Sequence, residues 1–473
     1  MKLSKLAVLS EAEIKEIHEA TLDILENCGV KINNSKMFSF LRERGLKADG
    51  ESQVVRFSRD CVGDALGSVP AKFEVFDREG KFSFLLGDGV SKIGAGHNAV
   101  FWADSGTGKT RPSTVSDVEL FSRICEKLTD IDVIGIPVMP QDVPNPKASL
   151  LYGVKACIEN SKKPIFFSTD RPETNLAVIK MLSAVFAGDL KRQAYGISQL
   201  SSTSPLSWEE GVLEAIMETV DNGVPLAILP EPNAGVSCPY TLAGLLTMNN
   251  AECLSGLVMA QMLKPGAKVM YANSWTTTDM RSGAALVGSA ETTVCRIAGA
   301  QLAGFYRVPS HTTAPNSDNH AHDEQNSWEK TLSLFASVAA GNDLIVNCGM
   351  FATGMTFSHE QLLMDEEISA MSRRVSAGIS VSRDTIAQDL IKEVGPAGKT
   401  YLDEAHTLKW LRSAEYYVPG LAVRGPRASW EAAGSKDTYR LACEKVNSYK
   451  SLPGIPLEAK QRALLAEIIQ NLK

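Results

Sequence analysis

The hydrophobic pattern of the chain opens on a 3.6-residue period. Ile14, Ile17, Ala20, Thr21, Leu22, Ile24 and Leu25 mark one face of a helix predicted over 10–28, where Ser10 and Glu13 have the spacing of a capping box and Gly29 is the stop. A second helix is predicted over 35–44. Short alternating runs at 54–57 and 72–86 read as strands, so residues 1–88 form an α+β N-terminal region packed on the rest.

From residue 89 the pattern changes. Apolar or β-branched runs predict eight strands at 91–95, 132–138, 164–168, 194–199, 225–229, 268–272, 307–311 and 344–348. Helical stretches follow them at 116–128, 145–160, 174–187, 207–222, 241–263, 288–304, 325–340 and 359–377. Strand and helix alternating eight times predict an α/β fold, a (β/α)8 TIM barrel over 89–378, with its reactive groups where strands run out into the following loops. The remainder, 379–473, is broken at Gly395-Pro396, Pro419-Gly420 and Gly425-Pro426 and reads as a C-terminal helical extension.

Composition narrows the function classes. Hydrophobic residues at 44% and charged residues at 22% exclude a disordered or fibrous chain. Lys and Arg number 48 against 55 for Asp and Glu, a net charge of −7 with no basic cluster, so nucleic acid is not an expected partner. The nine cysteines are odd in number and contain no CxxC pair, which points to a reduced, cytoplasmic protein. The basic start at Met1-Lys2 precedes too short an apolar run for a secretory leader, and Glu11 and Glu13 follow at once. No membrane-spanning helix is expected, because the long uncharged stretches carry Pro, Asn and Ser.

Two motifs imitate known chemistry. Residues Ala103 to Thr110 approximate a phosphate-binding loop, but Arg111-Pro112 keeps Lys109 and Thr110 from opening a helix, so a hairpin turn is predicted instead. The run Asp318-Asn319-His320-Ala321-His322-Asp323-Glu324 is the densest set of metal-capable side chains. It could hold a hydrolytic metal, contact a substrate or partner, or be a polar loop. A His-x-His pair after the seventh strand, with only His359 and His406 behind it, departs from metal-dependent barrel hydrolases. Strand ends supply further polar candidates in Gln199 with Ser201, Glu231, and Asn273 beside Trp275. Aromatic residues are scarce at 7%, yet Phe101, Trp102, Trp275, Phe351 and Phe357 all fall just past a predicted strand end. Their faces there would suit a quaternary ammonium group held by cation–π attraction, or would pack the loops of the barrel mouth.

The sequence also resembles the trimethylamine methyltransferase family, in particular its non-pyrrolysine members that demethylate quaternary amines such as glycine betaine. The resemblance covers nearly the whole chain. It rests on Leu9-Ser10 to Gly29-Val30, Thr107-Gly108 to Asp117, Asp132 to Pro144 with Pro140-Gln141-Asp142, and Lys163-Pro164. It continues through Gly288 to Glu291, Ser317-Asp318 to Gln325, Ala340-Gly341-Asn342, Gly395-Pro396 and His406-Thr407. It implies a (β/α)8 barrel that moves a methyl group from an amine to the Co(I) of a separate corrinoid protein. The cobalamin is then carried by that partner, and the enzyme has no metal of its own. A quaternary ammonium carries a neutral leaving group, so this chemistry calls for orientation and desolvation rather than an acid, base or protein nucleophile. The chain is written in the twenty ordinary residues, which argues against trimethylamine itself.

On this resemblance the substrate-binding set is His97, Phe101, Gln199, Glu231, Asn273, Trp275, His311, Asp318, Met350 and Phe357, with Trp102 and Phe351 beside them. His97, Gln199, Asn273 and His311 would hold a betaine carboxylate, Glu231 or Asp318 would face the ammonium, and the apolar residues would surround its methyl groups. No acid, base, nucleophile or metal ligand is expected, and a homo-oligomer is. Alternatives are the same transfer from proline betaine, carnitine or γ-butyrobetaine, a metal-dependent barrel hydrolase using His320 and His322, and a betaine-binding protein without catalysis.

Overall fold

The fold is given by a computed structural model that describes residues 5–396 and 400–472. The basic start of the leader reading, Met1 to Ser4, lies outside them. Eight parallel strands close a barrel in chain order: Lys92–Ala95, Val133–Gly135, Ile165–Ser168, Gly196–Leu200, Leu226–Ile228, Val269–Asn273, Ser310–Thr313 and Leu344–Cys348, the last pairing with the first. Six of the predicted strands match their counterparts to within two residues at either end, and the second, predicted over 132–138, stops at Gly135. The seventh starts three residues late, because Arg307 takes a left-handed conformation (φ 57°) to cap the helix Ala290–Tyr306 and strand geometry resumes only at Ser310.

The helix predicted over 207–222 begins instead at Glu210. Ser207–Trp208 is a short strand, parallel to Val30–Ile32, and it joins a loop of the barrel to the N-terminal sheet. Trp208 is fully buried and donates its indole N–H to Ser255 Oγ at 2.9 Å, a tertiary anchor that overrides helical period. The first helix keeps its predicted capping box, Ser10 Oγ accepting from the Glu13 amide while Glu13 Oε2 accepts from the Ser10 amide.

Residues 72–86 make an antiparallel hairpin, Phe73–Phe76 with Phe82–Leu86. Alternation sends Phe73, Val75, Phe84 and Leu86 to one face, where they join Val133, Phe166, Ile197, Ala227, Met270 and Leu344 in the barrel interior. The Phe76 amide bonds the Ala194 carbonyl, and the Gly87 amide bonds Asp343 Oδ1. Both partners precede their barrel strands, so the hairpin plugs the floor of the barrel. The open end is the other one, where strands run out.

At that end the phosphate-loop imitation is a hairpin, Phe101–Asp104 paired with Lys109–Arg111. Asp104 Oδ1 accepts from the Thr107 amide and Gly108 takes φ +67° at the turn. Arg111 then forks onto both oxygens of Asp117 at 2.7 Å, which itself caps the helix Val115–Lys127. All nine cysteines are unpaired. Among the described residues no helix is long and apolar enough to cross a membrane.

Candidate active site

The strand ends build a polar ladder across the barrel. His97 follows the first strand, Ser168 ends the third, Gln199 lies on the fourth and His311 on the seventh. The Gln199 amide bridges the two rings, 3.1 Å from His97 Nε2 and 3.2 Å from His311 Nε2. Phe166 lies beneath, its ring 5.2 Å from His97 and 5.1 Å from His311. Ser168 Oγ is 3.2 Å from His97 Nε2 and accepts from Asn98 Nδ2 at 3.1 Å.

The proton inventory of this ladder follows from its ends. Burial pushes the pKa of His97 down to about 4 and that of His311 down to about 3, so both rings are neutral near pH 7. His311 Nδ1 lies 3.1 Å from the Leu344 carbonyl, an acceptor, and must carry the ring proton. Its Nε2 is therefore a lone pair; the structure sets Gln199 Oε1 beside it and Gln199 Nε2 beside His97, so pairing requires the amide turned over, its NH2 toward His311 and its oxygen toward His97. His97 then carries its proton on Nε2, which leaves Nδ1 an acceptor. Among the described residues that Nδ1 has no partner, and neither has Asn98 Oδ1, whose NH2 end is committed to Ser168.

Glu231 adds a third acceptor at the same end. It follows the fifth strand and is exposed to solvent, with protein around its carboxylate on the barrel side. Burial raises its pKa and a hydrogen bond from Ser274, at the end of the sixth strand, partly offsets this. The mouth thus offers two buried acceptors without a partner and an exposed carboxylate bonded by Ser274.

The other predicted site residues lie elsewhere. Strand alternation turns Asn273 and Trp275 outward, against the helix Ala290–Tyr306: a Cβ on Gly299 would stand 2.6 Å from Asn273 Nδ2 and 3.2 Å from the Trp275 ring. Trp275 is fully buried in the layer between barrel and helices, and Asn273 Oδ1 accepts from Thr312 at 2.6 Å. Trp102, Met350 and Phe357 belong to the outer core, with the Trp102 and Phe357 rings 5.4 Å apart. Phe351 is buried against His322 at 4.6 Å. No aromatic cage forms from these residues. Phe101, on the opposite face of its strand from Trp102, stays exposed beside Val100 and Met355, a small apolar strip held by the amides of 100 and 101 bonding the Met355 carbonyl.

Asp318 works as a loop clamp. Its carboxylate accepts from the Val287 and Gly288 amides at 2.8 and 3.0 Å and from Thr353 at 3.2 Å, tying together the loops after the sixth, seventh and eighth strands. Fully buried Arg296 braces the same loops, donating to the Thr313 and Val287 carbonyls at 2.7 and 2.9 Å. Behind them Lys330 and Asp365 form an ion pair at 2.8 Å with both side chains fully buried, and Asp365 also takes the Gly349 amide. Such a pair confers geometry more than stability.

His320 is exposed, while His322 stacks on Tyr439 and lies 2.8 Å from Gln361 Oε1. The two histidines do not converge on a shared point with other donors, and among the described residues no three metal-capable side chains cluster. Sequence reasoning missed Phe166, Ser168 and Asn98. The run Ile165–Ser168 is almost wholly apolar, so its period cannot tell the barrel face from the helix face.

Comparison with known proteins agrees with this architecture. The family model "Trimethylamine methyltransferase (MTTB)" matches residues 1–469. The chain is 32% identical to trimethylamine methyltransferase MttB of Desulfitobacterium hafniense over 472 residues, covering 98% of this chain and 94% of the relative. It is 30% identical to a glycine betaine methyltransferase of the same species over 475 residues, covering 98% of each. The crystal structure of Methanosarcina barkeri monomethylamine methyltransferase (MtmB) superimposes with a TM-score of 0.53 over 94% of this chain and 89% of that one, at 13% identity. Fold and full-length similarity together lead to one assignment: the chain belongs to the trimethylamine methyltransferase (MttB) family.

Proposed function

We propose that the protein transfers a methyl group from a quaternary amine, glycine betaine or a related betaine, to the Co(I) of a separate corrinoid protein in the cytoplasm. The observation that carries this reading is the polarity of the mouth: the Glu231 carboxylate bonded by Ser274, and His97 Nδ1 and Asn98 Oδ1 left as acceptors. A site that offers acceptors and a carboxylate favours a cation. Both neighbouring imidazoles stay neutral, so no protein charge on the ladder repels an ammonium.

Glu231 attracts the ammonium and the ladder of His97, Gln199 and His311 fixes the floor on which it rests. Phe166 lies under the ladder as apolar surface. Fixed orientation, with water excluded by the closed floor, is what a methyl transfer from a neutral leaving group needs. The partner's reduced corrinoid supplies the nucleophile that takes the methyl group. Val100, Phe101 and Met355, each 44–47% exposed on the rim, are the surface on which the corrinoid protein would dock. The family's relatives named for trimethylamine and for glycine betaine support the reaction class.

The test is anaerobic. Purified protein is mixed with reduced Co(I) cobalamin and a panel of methylated amines, following loss of the Co(I) absorbance. Loss with a betaine and none with trimethylamine is expected. No loss with any amine, repeated with a cognate corrinoid protein, would overturn the proposal.

A further inference from the structure

The C-terminal extension contains a stretch that the barrel does not explain. The helix His359–Ala377 runs back along the barrel from its open end, and near its last turn Arg373 contacts Asp130 and Asp132, at the foot of the second strand. One residue further, Arg374 donates to the Gly378 carbonyl on one side and to the Glu415 carbonyl on the other. The chain therefore leaves the body and rejoins it at a single arginine, at the floor end of the barrel, far from the mouth. Between these two points the short helices Arg383–Ile386, Gln388–Val394 and Ala405–Leu411 bury one side chain, Val394. Their ion pairs, Arg383 with Asp389 and Lys409 with Asp384, lie within the stretch itself.

Its apolar residues point outward. Val381 is 73% exposed, Ile386 52%, Ile391 53%, Leu402 79%, Leu408 51% and Leu411 71%. These six side chains alone offer on the order of 700 Å² of surface, against the ~800 Å² that each partner buries in a stable complex. A single soluble chain seldom leaves that much apolar surface in so short a stretch.

We propose that residues 380–394 and 400–414 form an arm that packs on a second copy of this chain. Three observations choose this occupant. The arm is rooted at the end opposite the mouth, so covering it does not obstruct the site where a substrate and its methyl acceptor must meet. Its charge is nearly balanced, four basic against five acidic residues in the two stretches, which offers no field to nucleic acid or to an anionic membrane. An apolar surface of this area with little net charge has the character of an interface between identical chains, where twofold symmetry buries the same arm twice. The inference holds whichever amine the mouth accepts.

The experiment is sedimentation equilibrium of the full-length protein and of a Leu402→Glu/Leu411→Glu variant, with circular dichroism on both. The parent should sediment at twice the chain mass or a higher multiple at micromolar concentration. The variant should dissociate at least about 100-fold more readily, because each new carboxylate would be buried in the interface. Its dichroism and melting as a single chain should be those of a folded barrel, since both leucines are exposed there. Should that variant precipitate, Ile386→Lys/Ile391→Lys replaces it on the same readout. A parent that sediments as a single chain, or a folded variant whose association is unchanged, would overturn the proposal; binding of the single-chain parent to vesicles or to the corrinoid protein through this arm would also overturn it.

Discussion

The Gln199 amide stands 3.2 Å from His311 Nε2, and the Leu344 carbonyl on the far side of that ring fixes which way the amide must face. One backbone oxygen deep in the barrel thereby sets the protonation pattern of His97, a residue two strands around the wall from His311. The ladder is local chemistry spread over four strands, and it can be broken at its centre.

Replacing Gln199 with Leu removes the bridge and leaves His311 Nε2 short of a partner, while His97 Nε2 keeps Ser168 Oγ at 3.2 Å. Such a loss costs about 1–3 kcal/mol, so the variant should unfold at a lower urea concentration while keeping its helical dichroism. Ring-nitrogen NMR should show the parent protein with the proton on Nδ1 of His311 and on Nε2 of His97. Finding the same nitrogen protonated on both rings would reject the ladder.

The same histidines predict an acid response. Their folded pKa values, about 4 and about 3, lie below the ordinary 6.5, so between pH 6.5 and about 4 the unfolded chain takes up protons that the folded chain refuses. Stability contributed by keeping them neutral is present above 6.5 and falls as the pH drops. Carboxylates with raised values, Glu231 and fully buried Asp365 among them, act in the opposite sense, so the comparison is made between variants. His311→Gln should show a pH slope of stability one proton shallower than the parent over this range, read from urea midpoints at successive pH values.

Glu231→Gln should weaken binding of a quaternary ammonium several-fold, up to about 10-fold, the loss of one ion pair at a solvent-exposed carboxylate. Thermal stability should hold or rise, since a neutral amide is less costly to enclose than a carboxylate. Burial raises the Glu231 pKa, and a cation binds the ionised form, so affinity in the parent should improve as pH rises through that value and then level off. The variant should show no such dependence. Calorimetry in two buffers of different ionisation heat would detect the proton released on binding; equal affinity in parent and variant would take Glu231 out of the site.

Trp275→Ala separates the sequence expectation from the structure. As a cage residue it would affect substrate binding in a stable protein. Fully buried between the sixth strand and the Gly299 face of its helix, it should instead cost about 3–5 kcal/mol of stability, with an unchanged Michaelis constant for the folded fraction. A stable variant with a raised constant would reverse this assignment.

The sequence by itself determined the architecture and the family. Apolar runs spaced by amphipathic helices repeat eight times, and Arg111-Pro112 forbids a phosphate loop, because period and local sterics act over a few residues and survive without tertiary context. His97, Gln199, Glu231 and His311 were readable as polar residues at or near strand ends. What the tertiary structure alone decided was facing. Asn273 and Ser274 are neighbours in sequence, yet one faces the helices and the other the mouth, and a strand buried on both sides gives its sequence no reason to mark which is which. The same blindness hid Phe166 and sent Trp275 to the wrong layer. Aromatic residues past a strand end can cover the mouth or fill the outer core, and only the packing of the surrounding helices chose the core for Trp102, Phe357 and Met350.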